Sequence, residues 1–98
     1  MINVALLGFG RIGQMHAQNI YLNKTLNLLY VYEKIDKLRK KAKNLYNCKI
    51  ERNYKNIFSD KRVDIIFISS PTNTHIKFIE EGIKYNKTYY KDRDLEPT

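Results

Sequence analysis

Directly behind an apolar run, Ile2–Leu7, the chain places Gly8-Phe9-Gly10-Arg11-Ile12-Gly13, three glycines in six positions. A G-x-G-x-x-G loop between a strand and a helix is suited to receive a pyrophosphate. The first glycine permits a tight turn, the second leaves room for phosphate to approach the backbone, and the third lets the helix pack closely on the strand. The helix N-terminus adds free N–H groups and a partial positive charge. Glu33 follows at about the 20-residue distance expected of a ribose-binding acid, behind the run Leu28-Leu29-Tyr30-Val31-Tyr32. A carboxylate there accepts hydrogen bonds from ribose hydroxyls and repels a 2′-phosphate, which favours NAD over NADP. The competing reading is a generic tight turn with Glu33 as a helix-start acid. Loop, acid and flanking pattern together favour the dinucleotide.

A second polar loop, Ser69-Ser70-Pro71-Thr72-Asn73-Thr74-His75, follows the most strand-like run in the chain. In a doubly wound sheet, ligands bind beyond the carboxyl ends of the strands, so this loop should face the same cleft. Its hydroxyl and amide groups can bond a ribose or a carboxamide. Thr72, Asn73 or Thr74 can also cap the helix from His75, and the two roles are compatible. Arg11 fits either a cation beside the pyrophosphate or a solvated residue of the first helical turn, and the sequence leaves both open. His16 reads as a packed or hydrogen-bonded ring, not a proton carrier. His75 and Lys91 do not make a base with an orienting partner, so no catalytic residue is assigned. Neither is a metal site, for want of Cys/His ligand spacing.

These loops need a scaffold, and the hydropathy pattern supplies one. Strands are expected at Ile2–Leu7, 28–33, 48–50, 64–69 and 88–90. Between them fall a helix over 10–22 with Ile12, Met15 and Ile20 inward, and one carrying Ile35, Leu38, Ala42 and Leu45 at i, i+3, i+7 and i+10. A helical turn over 56–61 and a helix over 75–85, with Ile76, Ile79 and Ile83 inward, complete the series. Alternating strands and helices with continuous apolar strands predict an α/β, Rossmann-like, doubly wound parallel sheet of about five strands. The pattern occupies residues 1–90 as a single domain and leaves a charged tail at 91–98.

With 98 residues, the chain suits one domain. Its 43% apolar content places it among globular sequences, not disordered ones. No apolar run approaches the ~18 residues that span a bilayer. The N-terminus lacks a basic flank and cleavage site, so neither a membrane segment nor a signal peptide is expected. Cys48 is the only cysteine, which excludes an intramolecular disulfide and points to the cytoplasm. The net charge of +8 admits a nucleic-acid partner. Dispersed lysines, with one dense patch over 37–43 on a helix and no RNA-binding aromatic motif, favour a solvated surface instead.

GFGRIGQMHAQNI, the acid after YVY, and DIIFISSPTNTHIKFIEEGIKYNK resemble the Gfo/Idh/MocA oxidoreductase family, most of all its inositol 2-dehydrogenase-type members. The resemblance covers residues 2 to 90. It implies NAD(P)-dependent hydride transfer at a sugar or cyclitol CH–OH. It also implies pyrophosphate contacts from Gly8, Gly10, Arg11, Ile12 and Gly13, and ribose contact from Glu33. Ser70, Pro71, Thr72, Asn73 and His75 would line the nicotinamide side. The family's next motif, Glu-Lys-Pro, falls at Asp92-Arg93-Asp94, where its lysine and proline are replaced. Lys91 is the alternative for that lysine. The family's second α/β domain, with its substrate pocket and proton-handling Asp/His pair, is not found in the sequence. The expectation is therefore a cofactor-binding fragment that does not turn over alone. A stand-alone NAD-binding subunit of a split enzyme is the next reading, with a homo-oligomer or a complementary subunit as partner, and a basic nucleic-acid-binding protein comes last.

Overall fold

The computed structural model describes residues 1–91, the side chain of Thr72 apart. Asp92-Arg93-Asp94 and the rest of the expected tail lie outside the described residues. The order is β1 (Ile2–Leu7), α1 (Arg11–Leu22), β2 (Leu26–Tyr32), α2 (Asp36–Tyr46), β3 (Lys49–Glu51), α3 (Tyr54–Phe58), β4 (Ile65–Ile68), a 3₁₀ turn (Thr72–Thr74), α4 (His75–Lys84) and β5 (Thr88–Lys91). The five strands pair in the order β3-β2-β1-β4-β5, all parallel, as expected.

Strand alternation splits the core in two. Val4 and Leu6 of β1 face Ala17 and Ile20 of α1 and Ala42 of α2. Ala5 and Leu7 face the other way, into a cluster with Ile57 and Phe58 of α3 and Phe78 of α4. Both faces of the central strands are covered, so their sequences run apolar without alternation. The β1–β2 register shifts between Val4 and Ala5, and Leu29 and Tyr30 both pack toward the α3–α4 side.

The helix faces correct the expected patterns. On α4 the buried residues are His75, Phe78 and Gly82, and of the expected isoleucines Ile79 packs partly buried against the same cluster while Ile76 and Ile83 are 72% and 66% exposed. Both sets have i, i+3, i+7 spacing, one residue apart. Phe78 decides between them by packing edge-on to Tyr32 and Tyr54 and stacking on Phe58. On α2 the inner face is Leu38, Arg39, Ala42 and Tyr46, with Ile35 and Leu45 outside. The Arg39 guanidinium donates to the carbonyls of Glu33 and Lys34, which turns that side of the helix toward the sheet. On α1, Ile20 is buried as expected, but Met15 is exposed and the small residues Gly13 and Ala17 share the inner face. The short helix α3 begins two residues before the expected turn because the Asn53 side chain caps it, accepting from the Lys55 N–H.

The loop between α3 and β4 is tied down by Asp60. Its carboxylate accepts from the Tyr30 hydroxyl at 2.7 Å and from the Arg62 guanidinium at 2.6 Å. Lys87 Nζ donates to the Asp60 and Val63 carbonyls, joining the start of β5 to the same corner. Arg62, foremost, holds the Asp60 carboxyl well below the usual carboxylate range. A carboxylate so held takes up its proton at lower pH when folded than when unfolded. Its contribution is therefore complete above about pH 4 and disappears as pH falls further. Asp60→Asn should lower the melting temperature at pH 7. It should also flatten its decline between pH 5 and 3, measured by circular dichroism; a decline as steep as that of the unmodified chain would contradict the assignment.

Candidate functional site

Strand β1 lies at the switch point of the sheet, with β2 on one side and β4 on the other. Beyond its end the backbone turns at Gly8, whose φ is +105°. A Cβ on Gly8 would sit 2.7 Å from the Ser70 nitrogen, and a Cβ on Gly13 would collide with the Gly8 carbonyl oxygen. Those two glycines are required by backbone packing. Gly10 differs, because a Cβ there would meet no atom within 4 Å. It is the N-cap of α1 and gives that helix no side-chain cap, so no cap side chain occupies its first-turn N–H groups.

The loop is pinned from both sides. Phe9 is fully buried and packs its ring edge-on to Tyr46, anchoring the turn between the glycines. Its N–H donates to Glu33 Oε1 at 2.9 Å, and its carbonyl accepts from Gln14 Nε2 at 3.2 Å. Glu33 Oε2 accepts from the Ile35 N–H at 3.1 Å. The acid thus clasps the glycine loop and the start of α2 together, and of a carboxylate's roughly four acceptor positions about two remain for a ligand. Buried Ser69 donates from Oγ to the Gly8 carbonyl at 3.0 Å, tying β4's end to the same turn.

An open cleft of about 1060 Å³ lies over these loops. Gly8, Gly10, Arg11, Ile12, Gly13, Glu33, Ser70, Pro71 and Asn73 all line it. No described residue holds the Arg11 guanidinium. The side chain of Thr72 lies outside the described part. His75 does not line the cleft. Its ring is 3% exposed, under the loop, with Nε2 2.9 Å from the Ser70 carbonyl. That burial follows from the one-residue offset in the face of α4. His16 packs its ring on Phe67 at 4.7 Å, in keeping with the packed reading. Lys91 ends β5 in register with Ile68.

Several cleft residues carried no sequence signal. Lys34, Ile35 and Leu38 close the α2 side, while Lys77 and Phe78 close the α4 side. Lys77 Nζ stands 4.4 Å above the Tyr54 ring. Tyr32 lines the floor, and burial and then the Glu33 charge push its phenol above the usual value. The i, i+3 spacing of Thr74 and Lys77 would have placed both at the cleft once the inner face of α4 was known.

The glycine turn, a helix N-terminus without a side-chain cap and one acid across the turn together fit a nicotinamide dinucleotide. Fold and site together define a dinucleotide-binding Rossmann domain. The chain belongs to the GFO/IDH/MocA oxidoreductase family, whose model for the NAD-binding Rossmann fold matches residues 2–91. It is 28% identical over 99 residues to a myo-inositol 2-dehydrogenase of Thermotoga maritima, covering 96% of this chain and 28% of that protein. An inositol 2-dehydrogenase of Rhizobium meliloti is 26% identical over 95 residues, with 97% and 28% covered. A myo-inositol dehydrogenase structure from Corynebacterium glutamicum superposes with a TM-score of 0.86 at 26% identity, over 93% of this chain and 27% of that one. The chain thus spans about 28% of the length of those curated relatives.

The three glycines should separate on substitution. Gly13→Ala is expected to cost at least about 2 kcal/mol of stability by overpacking. Gly10→Ala should change stability by no more than about 1 kcal/mol yet weaken NAD binding about tenfold or more, since its methyl group enters the cleft over the glycine turn. Denaturant titration and calorimetry on the same samples check both. Equal loss of stability in the two variants would contradict the division.

Proposed function

We propose that this chain is the cofactor-binding part of an NAD-dependent oxidoreductase acting on a cyclitol or sugar CH–OH group. The observation that carries the cofactor choice is Glu33, an acid at the end of β2 whose carboxylate lines the cleft beside the glycine loop. Its free acceptor positions suit ribose hydroxyls, and its charge opposes a 2′-phosphate. Arg11 and the first-turn N–H groups of α1 offset phosphate charge, while Ser70, Pro71 and Asn73 wall the far side. When bound, the nicotinamide accepts or returns a hydride at a carbinol carbon. The inositol dehydrogenases among the relatives support the substrate class.

The ionisable groups lining the cleft are Arg11, Tyr32, Glu33, Lys34 and Lys77. Glu33 is committed to the loop and the ribose, burial and the Glu33 charge keep the Tyr32 phenol protonated, and the three cations suit a polyanionic cofactor more than a proton-accepting role. We therefore assign the substrate-holding groups and the base to a partner segment or subunit, and expect no turnover by this chain alone. Exposed Ile76 and Ile83 on α4 and Tyr90 on β5 support such a partner, either a complementary subunit or a second copy. A single buried cysteine, whose thiol burial pushes up, fits a cytoplasmic location.

Glu33→Gln keeps an oxygen for the Phe9 N–H and removes the charge. The ratio of the NADP to the NAD dissociation constant, measured by calorimetry, should fall about tenfold. An unchanged ratio would remove the carboxylate from cofactor selection.

A further inference from the structure

The Ser70–Pro71 peptide sits where the second loop meets the glycine turn. Gly8 is pressed against the preceding Ser69–Ser70 peptide so closely that a Cβ would lie 2.7 Å from the Ser70 nitrogen and 2.8 Å from its Cα. Proline has no N–H, so this peptide plane can be held only through its carbonyl oxygen. Among the described residues, the hydroxyls of Ser70 and Thr74 are committed elsewhere. Ser70 Oγ and Thr74 Oγ1 lie 2.6 Å apart, and Thr74 Oγ1 also donates to the Pro71 carbonyl at 2.6 Å. The Ser70 carbonyl is met by His75 Nε2 at 2.9 Å. A carbonyl only accepts, so Nε2 carries the proton. The other ring nitrogen, Nδ1, is buried with no partner among the described residues. An imidazole with one nitrogen satisfied and one orphaned is a costly way to fill an interior position that an apolar side chain would fill well. The ring's single hydrogen bond accounts for its presence.

We infer that His75 is a positioning residue for the dinucleotide cleft, acting through the Ser70 carbonyl. It fixes the Ser70–Pro71 peptide plane and with it the wall formed by Pro71 and Asn73 opposite the glycines. It does so from beneath the loop, without contacting the ligand. The inference rests on the dinucleotide reading above.

The test compares His75→Leu, which has no donor, with His75→Gln, whose amide N–H can reach the same carbonyl. NAD affinity is measured by calorimetry and unliganded stability by thermal melting. His75→Leu should weaken NAD binding about tenfold, and His75→Gln should restore it to within about threefold of the unmodified chain. Equal weakening in both, or none in either, would overturn the assignment. Should His75→Leu fail to fold, ¹⁵N NMR of the unmodified chain decides. The His75 ring should show the Nε2–H tautomer, with that proton's resonance shifting when NAD is added. An Nδ1–H tautomer or an unmoved resonance overturns the inference. An unmodified chain that binds no NAD removes both readings, whereas NAD binding with an indifferent His75→Leu removes this one alone.

Discussion

Backbone meets backbone where β1 ends, and no side chain fits between. Gly8 turns against the Ser69–Ser70 segment, and the start of α1 closes on the Gly8 carbonyl through Gly13. This contact brings together the end of β1, the first turn of α1 and the end of β4. Inward small residues on α1, Gly13 and Ala17, continue the close approach along the helix. The space over Gly10 is its consequence, because the helix N-terminus is drawn in over the strand ends and no atom of the described residues comes within 4 Å of a Cβ at Gly10.

Polar groups around that contact fasten the loops and leave a ligand-facing surface at the same time. Ser69 Oγ ties β4 to the Gly8 carbonyl, and Glu33 ties the glycine loop to the start of α2. Glu33 therefore joins the two readings that the sequence set against each other. It is a helix-start acid for α2 and a cleft-lining carboxylate. The dense lysines of α2 are exposed and lie outside the cleft lining; Lys40 pairs with Asp36, and Lys41 bridges to Gln14 on α1. They add to the net charge without forming the cleft wall.

Much of this was legible before the fold was known. The glycine spacing, the acid after β2 and the polar loop after β4 are short-range patterns, each tied to a strand end, and the parallel order follows from alternating strands and helices. Helix faces were harder to read. The α4 residues Ile76, Ile79, Ile83 and His75, Phe78, Gly82 share one period, and hydropathy prefers the isoleucines. Only the aromatic cluster of Tyr32, Tyr54 and Phe58 shows why Phe78 goes inside. The same offset hid Lys77 from the cleft and put His75 under the loop instead of in the ligand's path. Phe9 was invisible for another reason. An x position in G-x-G-x-x-G carries no requirement of its own, and its burial depends on Tyr46, far along the chain.

On the proposed reading, the backbone around Gly8, Gly10 and Gly13, together with Glu33 and the Ser70–Thr74 segment, receives a dinucleotide. Amide chemical-shift mapping of the ¹⁵N-labelled chain during titration with NAD tests it most directly. The largest shifts should fall on Gly8 to Gly13, Glu33 to Ile35 and Ser69 to His75, with the lysine-rich face of α2 unmoved. Shifts confined to α2 lysines, or none at millimolar NAD, would contradict it.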